Sequence, residues 1–145
     1  MKRIFTKVFA GKMTLSSSYE TKQPAALSWL AQESYDILGA SGVAWCDAPN
    51  ENDGFAWITA ELSQVGIADQ DGSILKVTAG EGWNTVPQGI HGISGHNAVM
   101  FPDGSSVPLR EEGYLYLNLL GMNKSAGQAV FGYAVTVYYT KKGSR

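Results

Sequence analysis

Gln128-Ala129-Val130-Phe131-Gly132-Tyr133-Ala134-Val135-Thr136-Val137-Tyr138-Tyr139-Thr140 alternates without a break. Phe131, Tyr133, Val135, Val137 and Tyr139 fall on one face, and Val130, Gly132, Ala134, Thr136 and Tyr138 on the other. Neighbouring side chains of an extended chain point to opposite sides, so this run predicts a long strand with one face committed to a core. Just upstream, Gly113 to Leu120 sets Leu115, Leu117 and Leu119 against Tyr114, Tyr116 and Asn118. Between the two lies Gly121-Met122-Asn123-Lys124-Ser125-Ala126-Gly127, a turn by composition. The pair therefore reads as an antiparallel hairpin or as strands facing each other across a sandwich.

The pattern repeats more faintly towards the N-terminus. Strands are expected at Arg3 to Phe9, Lys12 to Ser18, Phe55 to Leu62, Ile74 to Ala79 and Asn97 to Phe101, separated by glycine- and Asx-rich turns. Leu27, Leu30, Ala31, Ser34 and Leu38 recur at helical spacing between Pro24 and Gly39, which predicts one short helix over 24–38. A strand over Ala25 to Leu30 is the alternative, because Ala26, Ser28 and Leu30 also alternate with Leu27 and Trp29. Gly80 to Gly95 is glycine-rich and expected to be a long ordered loop. The 145 residues, 44% apolar, suit one domain over 1–145. The fold class expected is mainly β: a single antiparallel β-sandwich, jelly-roll-like, with one short helix.

Charge is distributed by position. The first twelve and last five residues carry +7, all thirteen carboxylates lie between Glu20 and Glu112, and the net charge of −2 conceals that polarity. Basic terminal arms at 1–12 and 141–145 follow, meeting in one basic pole if the ends emerge together. Lys2, Arg3, Lys7 and Lys12 interleave with Ile4, Phe5, Val8 and Phe9, a pattern that suits adding as a strand to something else. Lysines on an edge strand would also guard it against aggregation. Only 17% of residues are charged while sixteen are aromatic, so neutral surface is left over for burial against neighbouring subunits. Met1-Lys2-Arg3 begins like a secretory signal, but Thr6 and Lys7 break the apolar run, so assembly in the cytoplasm is expected. No apolar run is long enough to cross a membrane as a helix.

Catalytic chemistry has little to stand on. His91 and His96 are the only histidines and would need a third ligand such as Glu81 or Asp103 to hold a metal. Ser94 beside His96 lacks a nucleophile elbow, Glu111 and Glu112 would point to opposite faces, and Asp69 and Asp71 lie in a turn. Gly80-Glu81-Gly82-Trp83 opens no helix and carries no phosphate-binding lysine. Cys46 stands alone, which excludes an intrachain disulfide. No cofactor and no enzymatic activity are expected. Trp57 reads as core, and Trp83, between Gly82 and Asn84, as an interface anchor.

Glu112 to Leu119, the small-residue turn, and Ala129 to Tyr139 together resemble the closing strands of small β-sandwich virion proteins, the capsid and decoration proteins of bacteriophages and viruses. That resemblance implies a catalytically inert subunit assembling as a symmetric homo-oligomer with other virion proteins. The assembly contacts would then be Lys2, Arg3, Phe5, Lys7, Phe9, Lys12, Trp83, Lys141, Lys142 and Arg145, with non-specific nucleic-acid contact through the basic termini. The alternative is a carbohydrate- or receptor-binding module in which Trp83, His91 and His96 form a ligand loop. A cupin-like metalloenzyme built on the two histidines is the third reading.

Overall fold

The computed structural model describes residues 3–16, 22–48, 54–67, 72–84, 89–102, 104–125 and 127–142. Along the chain these form β1 (Phe5–Leu15), β2 (Lys22–Leu30), β3 (Tyr35–Ala48), β4 (Gly54–Ser63), β5 (Ser73–Asn84), β6 (Gly89–Ile93), β7 (Gly95–Met100), β8 (Val107–Leu109), β9 (Tyr114–Asn123) and β10 (Ala129–Lys141). The protein is mainly β, and its strands pair antiparallel in two five-stranded sheets. Sheet 1 runs β1-β10-β3-β7, with β8 alongside the start of β3; sheet 2 runs β2-β9-β4-β5-β6.

The core lies where the committed faces meet. Phe131, Val135 and Val137 of β10 are fully buried, as are Leu15 of β1, Ile37 of β3, Ile58 and Leu62 of β4, and Leu115 and Leu117 of β9. Each such side chain contributes about 1.5–3 kcal/mol by leaving water. Of the two arrangements open for β9 and β10, the structure adopts the second. β9 belongs to sheet 2 and β10 to sheet 1, so the turn between them carries the chain from one layer to the other.

β3 holds the centre of sheet 1 with the unpromising run Gly39-Ala40-Ser41-Gly42-Val43-Ala44. Its small residues answer to packing. A Cβ on Gly42 would stand 2.9 Å from a Val77 methyl and 3.1 Å from a Val135 methyl, so a larger residue would drive apart β3 and β5 of the facing sheet.

The short helix expected over 24–38 is absent: the segment is the end of β2, a link at 31–34 and the start of β3. Leu27 and Trp29 pack against the core while Ala26, Ser28 and Leu30 are exposed, the period of a strand. The helical spacing arose by adding the end of one strand to the beginning of the next. Pairing with β9 over nine residues supplies the hydrogen bonds, and Pro24 is tolerated because β2 is an edge strand. Likewise, the loop expected over 80–95 is largely strand, since β5 runs on to Asn84 and pairs with β6. The two N-terminal strands are one, β1, passing through Gly11 opposite Tyr133. Among the described residues no helix is long and apolar enough to cross a membrane.

Candidate assembly surface

β1 and β10 are antiparallel with Phe5 opposite Tyr139, which brings the first and last described residues to one end of sheet 1. There Trp29 stacks on Tyr35 and Tyr139 packs tilted against both, with ring centroids 4.7–5.2 Å apart, and Phe5 lies 5.6 Å from Tyr139. Cations cover the stack. The Arg3 guanidinium sits 5.2 Å and the Lys141 ammonium 4.9 Å from the Phe5 ring, and Lys7 stands 6.0 Å from both Phe9 and Trp29. Aromatic faces attract cations through their negative quadrupole, at about 0.5–1 kcal/mol when exposed. Burial, reinforced by Tyr35 and Glu33, pushes the Tyr139 phenol above its ordinary range.

The expected union of the basic ends is therefore realised for Arg3, Phe5, Lys7, Phe9, Lys141 and Lys142, but in company with acids. Glu33 lies 3.9 Å from Lys141, and the link that carries it receives the Lys142 amide at Ser34 O and offers Ser34 Oγ to the Glu111 amide. The pole is mixed in sign. Over Phe5 to Lys12 the segment read as an arm is built into sheet 1, paired along β10, with Phe9 buried in the core. Removing residues 1–12 would thus strip the core as well as the surface. Lys12 lies well up the strand and is held by Asp47 at 3.0 Å. The Asp47 carboxyl is lowered by that hydrogen bond and by a second one from Trp45 Nε1. Lys2 and Arg145 lie outside the described residues.

The three residues of the ligand-loop reading are placed in strands. In the register of β5 and β6, Trp83 is opposite Ile90 and His91 opposite Gly82. His96 is in the other sheet, on β7 opposite Val43, and exposed. The pairing thus separates the two histidines by sheet.

A second surface was not singled out from the sequence. The outer face of sheet 1 has the rows Val8–Thr136–Ser41–Ala98 and Ala10–Ala134–Val43–His96, flanked by Met100. Val8 is 52% exposed, Val43 43% and Met100 62%. A shallow groove of about 270 Å³ follows Ser41, Val43, His96, Ala98, Ala134 and Thr136. Its signal in the sequence was the second face of the opening stretch, where Ala134 and Thr136 are small and uncharged. Trp57, read as core, also belongs to an outer face. Ala56, Ile58, Ala60 and Leu62 take the inward positions of β4, leaving Trp57 half-buried on the outside of sheet 2.

No protein-family model matches this chain, and no curated protein matches it. Among solved structures it is similar to Bacillus endospore appendages, described as disulfide-linked pili, at 13% identity over 98% of this chain and 92% of that one, with a TM-score of 0.41. It is similar to the decameric BFDV capsid protein at 12% identity, covering 97% of this chain and all of the other, with a TM-score of 0.44. The VP2 subviral particle of infectious bursal disease virus follows at 14% identity, 97% of this chain and 33% of that chain, TM-score 0.36. These three neighbours are viral capsid and pilus proteins, all at low identity.

Proposed function

We propose that this chain is a virion structural protein, a capsid, minor capsid or decoration subunit of a bacteriophage or virus, that acts by symmetric self-assembly and performs no catalytic step. The observation that carries the reading is the outer face of sheet 1. Large apolar side chains stand exposed on three of its strands, separated by Ala, Ser and Thr. Contiguous apolar surface of that kind costs solubility unless a partner covers it. The strand orders β1-β10-β3-β7 and β2-β9-β4-β5 fit a jelly-roll sandwich, with β6 and β8 as additions. A rigid block of that type contributes geometry to an assembly. Arg3, Lys7, Lys141 and Lys142 would join the contacts between subunits; non-specific phosphate contact has less support, because Glu33, Glu111 and Glu112 border the same pole.

Native mass spectrometry and electron microscopy of the purified chain test the reading. Closed multiples of the 15.6 kDa chain or particles are expected, and Val43→Glu should disperse them without unfolding the subunit. A stable monomer at micromolar concentration refutes it. The second reading is a glycan- or receptor-binding module; the β5–β6 register pairs Trp83 with Ile90 and His91 with Gly82, which puts the two positions on opposite faces of sheet 2, so this reading would rest on Trp83 alone. Saturable binding on a glycan array that is lost in Trp83→Ala would select it.

A further inference from the structure

Each sheet ends in edge strands, and they are not equally protected. β6 has five residues and β7 six; β2 carries Pro24; β8 has three and includes Pro108. Short length and proline are the ordinary means of blunting an edge. β1 has neither. It runs eleven residues against β10 in unbroken register, and among the described residues no strand pairs with its other side.

Lysine is the remaining protective device, and here both lysines are turned away from the edge. Lys12 reaches inward across Gly132 of β10 to Asp47 on β3, two strands into the sheet. Gly132 makes that path: the Trp45 ring lies where a Cβ would be, and Trp45 Nε1 steadies Asp47. Lys7 leans across to Phe9 and to Trp29 of the facing sheet. The free edge is left as a row of unpaired peptide groups with no charge projecting past it.

From this geometry we infer that the β1 edge pairs antiparallel with the β1 edge of a second copy about a two-fold axis, joining two copies of sheet 1 into one continuous sheet. The inference rests on the self-assembly reading and adds an edge contact to the outer-face contact that Val43→Glu tests. The occupant follows from self-complementarity. Full overlap of Phe5–Leu15 with itself centres the axis on Ala10, an exposed residue small enough to face its own copy. In that register Val8 faces Lys12, Thr6 faces Thr14, and Lys7 faces Met13. Lysine never faces lysine, and with Lys12 held inward by Asp47 no ammonium is set against the exposed Val8 of the other chain. The same pairing makes the outer face of sheet 1 continuous across both copies, with each copy's Lys12–Asp47 pair on it.

The test uses the full chain with Cys46→Ala as background. Residues directly opposite in an antiparallel pair have Cα atoms about 4.5–5.5 Å apart, within disulfide reach. Ala10→Cys should therefore give a covalent dimer under mild oxidation. Thr6→Cys mixed with Thr14→Cys should crosslink, while neither should do so alone, since two copies of Thr6 would be about 27 Å apart. Adding Ala10→Lys to the Thr6 and Thr14 pair should abolish the crosslink while the circular dichroism spectrum remains that of the folded β protein. An assembled protein that forms none of these crosslinks, or forms the Thr6–Thr14 one despite Ala10→Lys, overturns the inference while leaving self-assembly standing, and assigns the contact to another face or another chain. A monomer under all conditions overturns both.

Discussion

Asn123 is the polar residue on which the joint between the two sheets depends most. It is 1% exposed, and its Nδ2 donates to Leu15 O at 3.2 Å, Ser16 O at 3.0 Å and Gly127 O at 2.7 Å. Its Oδ1 accepts from the amide and hydroxyl of Ser125. One amide thus ties the end of β9 in sheet 2 to the end of β1 in sheet 1 and shapes the crossing to β10. Asn123→Ala removes the equivalent of four hydrogen bonds, since two Nδ2 hydrogens serve three carbonyls and Oδ1 accepts twice, and water can re-satisfy one of them at the exposed Ser16. Counting about 1 kcal/mol for each of the other three, plus desolvation of the groups left behind, gives a loss of about 3–5 kcal/mol. For a domain of this size that lowers the thermal midpoint by about 10–15 °C. Asn123→Asp keeps the acceptor for Ser125 but sets a carboxylate against three carbonyl oxygens. Its folded pKa must rise above the ordinary value of about 3.9, so its deficit is full at pH 7 and shrinks as the pH falls towards 4. Differential scanning calorimetry of wild type and both variants at pH 7 and pH 4.5 reads all of this. A drop of less than 3 °C for Asn123→Ala, or an Asp variant whose deficit grows on acidification, would show that the clasp does not hold the sheets as described.

Gly132→Ala should cost about 1–3 kcal/mol, because the new Cβ would fall where the Trp45 ring now lies. A shifted tryptophan emission at partial loss of stability would mark it, and an unchanged spectrum would contradict it. Asp47 has a lowered carboxyl through Lys12 first and Trp45 second, so its contribution is present above about pH 3.9 and is lost as the pH falls through its folded value. Denaturant titration should therefore find Asp47→Asn less stable than wild type at neutral pH, with the difference narrowing as the pH falls below about 3.9. Tyr133 and Tyr139 are both raised by burial, so stability is full below about pH 10 and declines above it, where the unfolded chain ionises first. Tyr139→Phe should flatten part of that decline.

What the sequence made legible was whatever its side chains state by alternation. β10 and β9 were readable because Phe131 to Tyr139 and Leu115 to Leu119 assign large apolar groups to one face, and burial follows those faces. β3 was hidden because its face is written in Gly, Ala and Ser, whose size answers to Val77 and Val135 in distant strands. β2 was ambiguous because Leu27, Leu30 and Ala31 fit a helical period while Ala26, Ser28 and Leu30 alternate with Leu27 and Trp29, and only pairing with β9 decides between them. Trp57 was assigned inward by its bulk, yet Glu61 stands on the same face of the strand, and that carboxylate was the available warning. At the pole the charges could be read by position. Trp29, Tyr35 and Tyr139 could not, since their stack exists only after β1, β2, β3 and β10 have met.

The two outer faces differ in a way that bears on assembly. On sheet 2 the polar row of Asn118, Glu61 and Lys76 is closed over by the chain itself: Asn118 Nδ2 donates to Val65 O at 2.8 Å, Gly66 packs on the Tyr116 ring, and Lys76 stands 3.6 Å from the buried Glu61 carboxylate. Covered in this way the Glu61 carboxylate needs its Lys76 partner, because an unpaired buried charge would cost several kcal/mol. On sheet 1 the central rows contain His96 as their one titratable group, and Val8, Val43 and Met100 remain open. Burying those two rows against a neighbour strands no carboxylate or ammonium, and the charges one row beyond, Lys12 and Asp47, are already paired with each other, so the desolvation cost that opposes most association is small there. The fold has placed its charged row under its own loop and left outward the face that a second subunit can cover most cheaply.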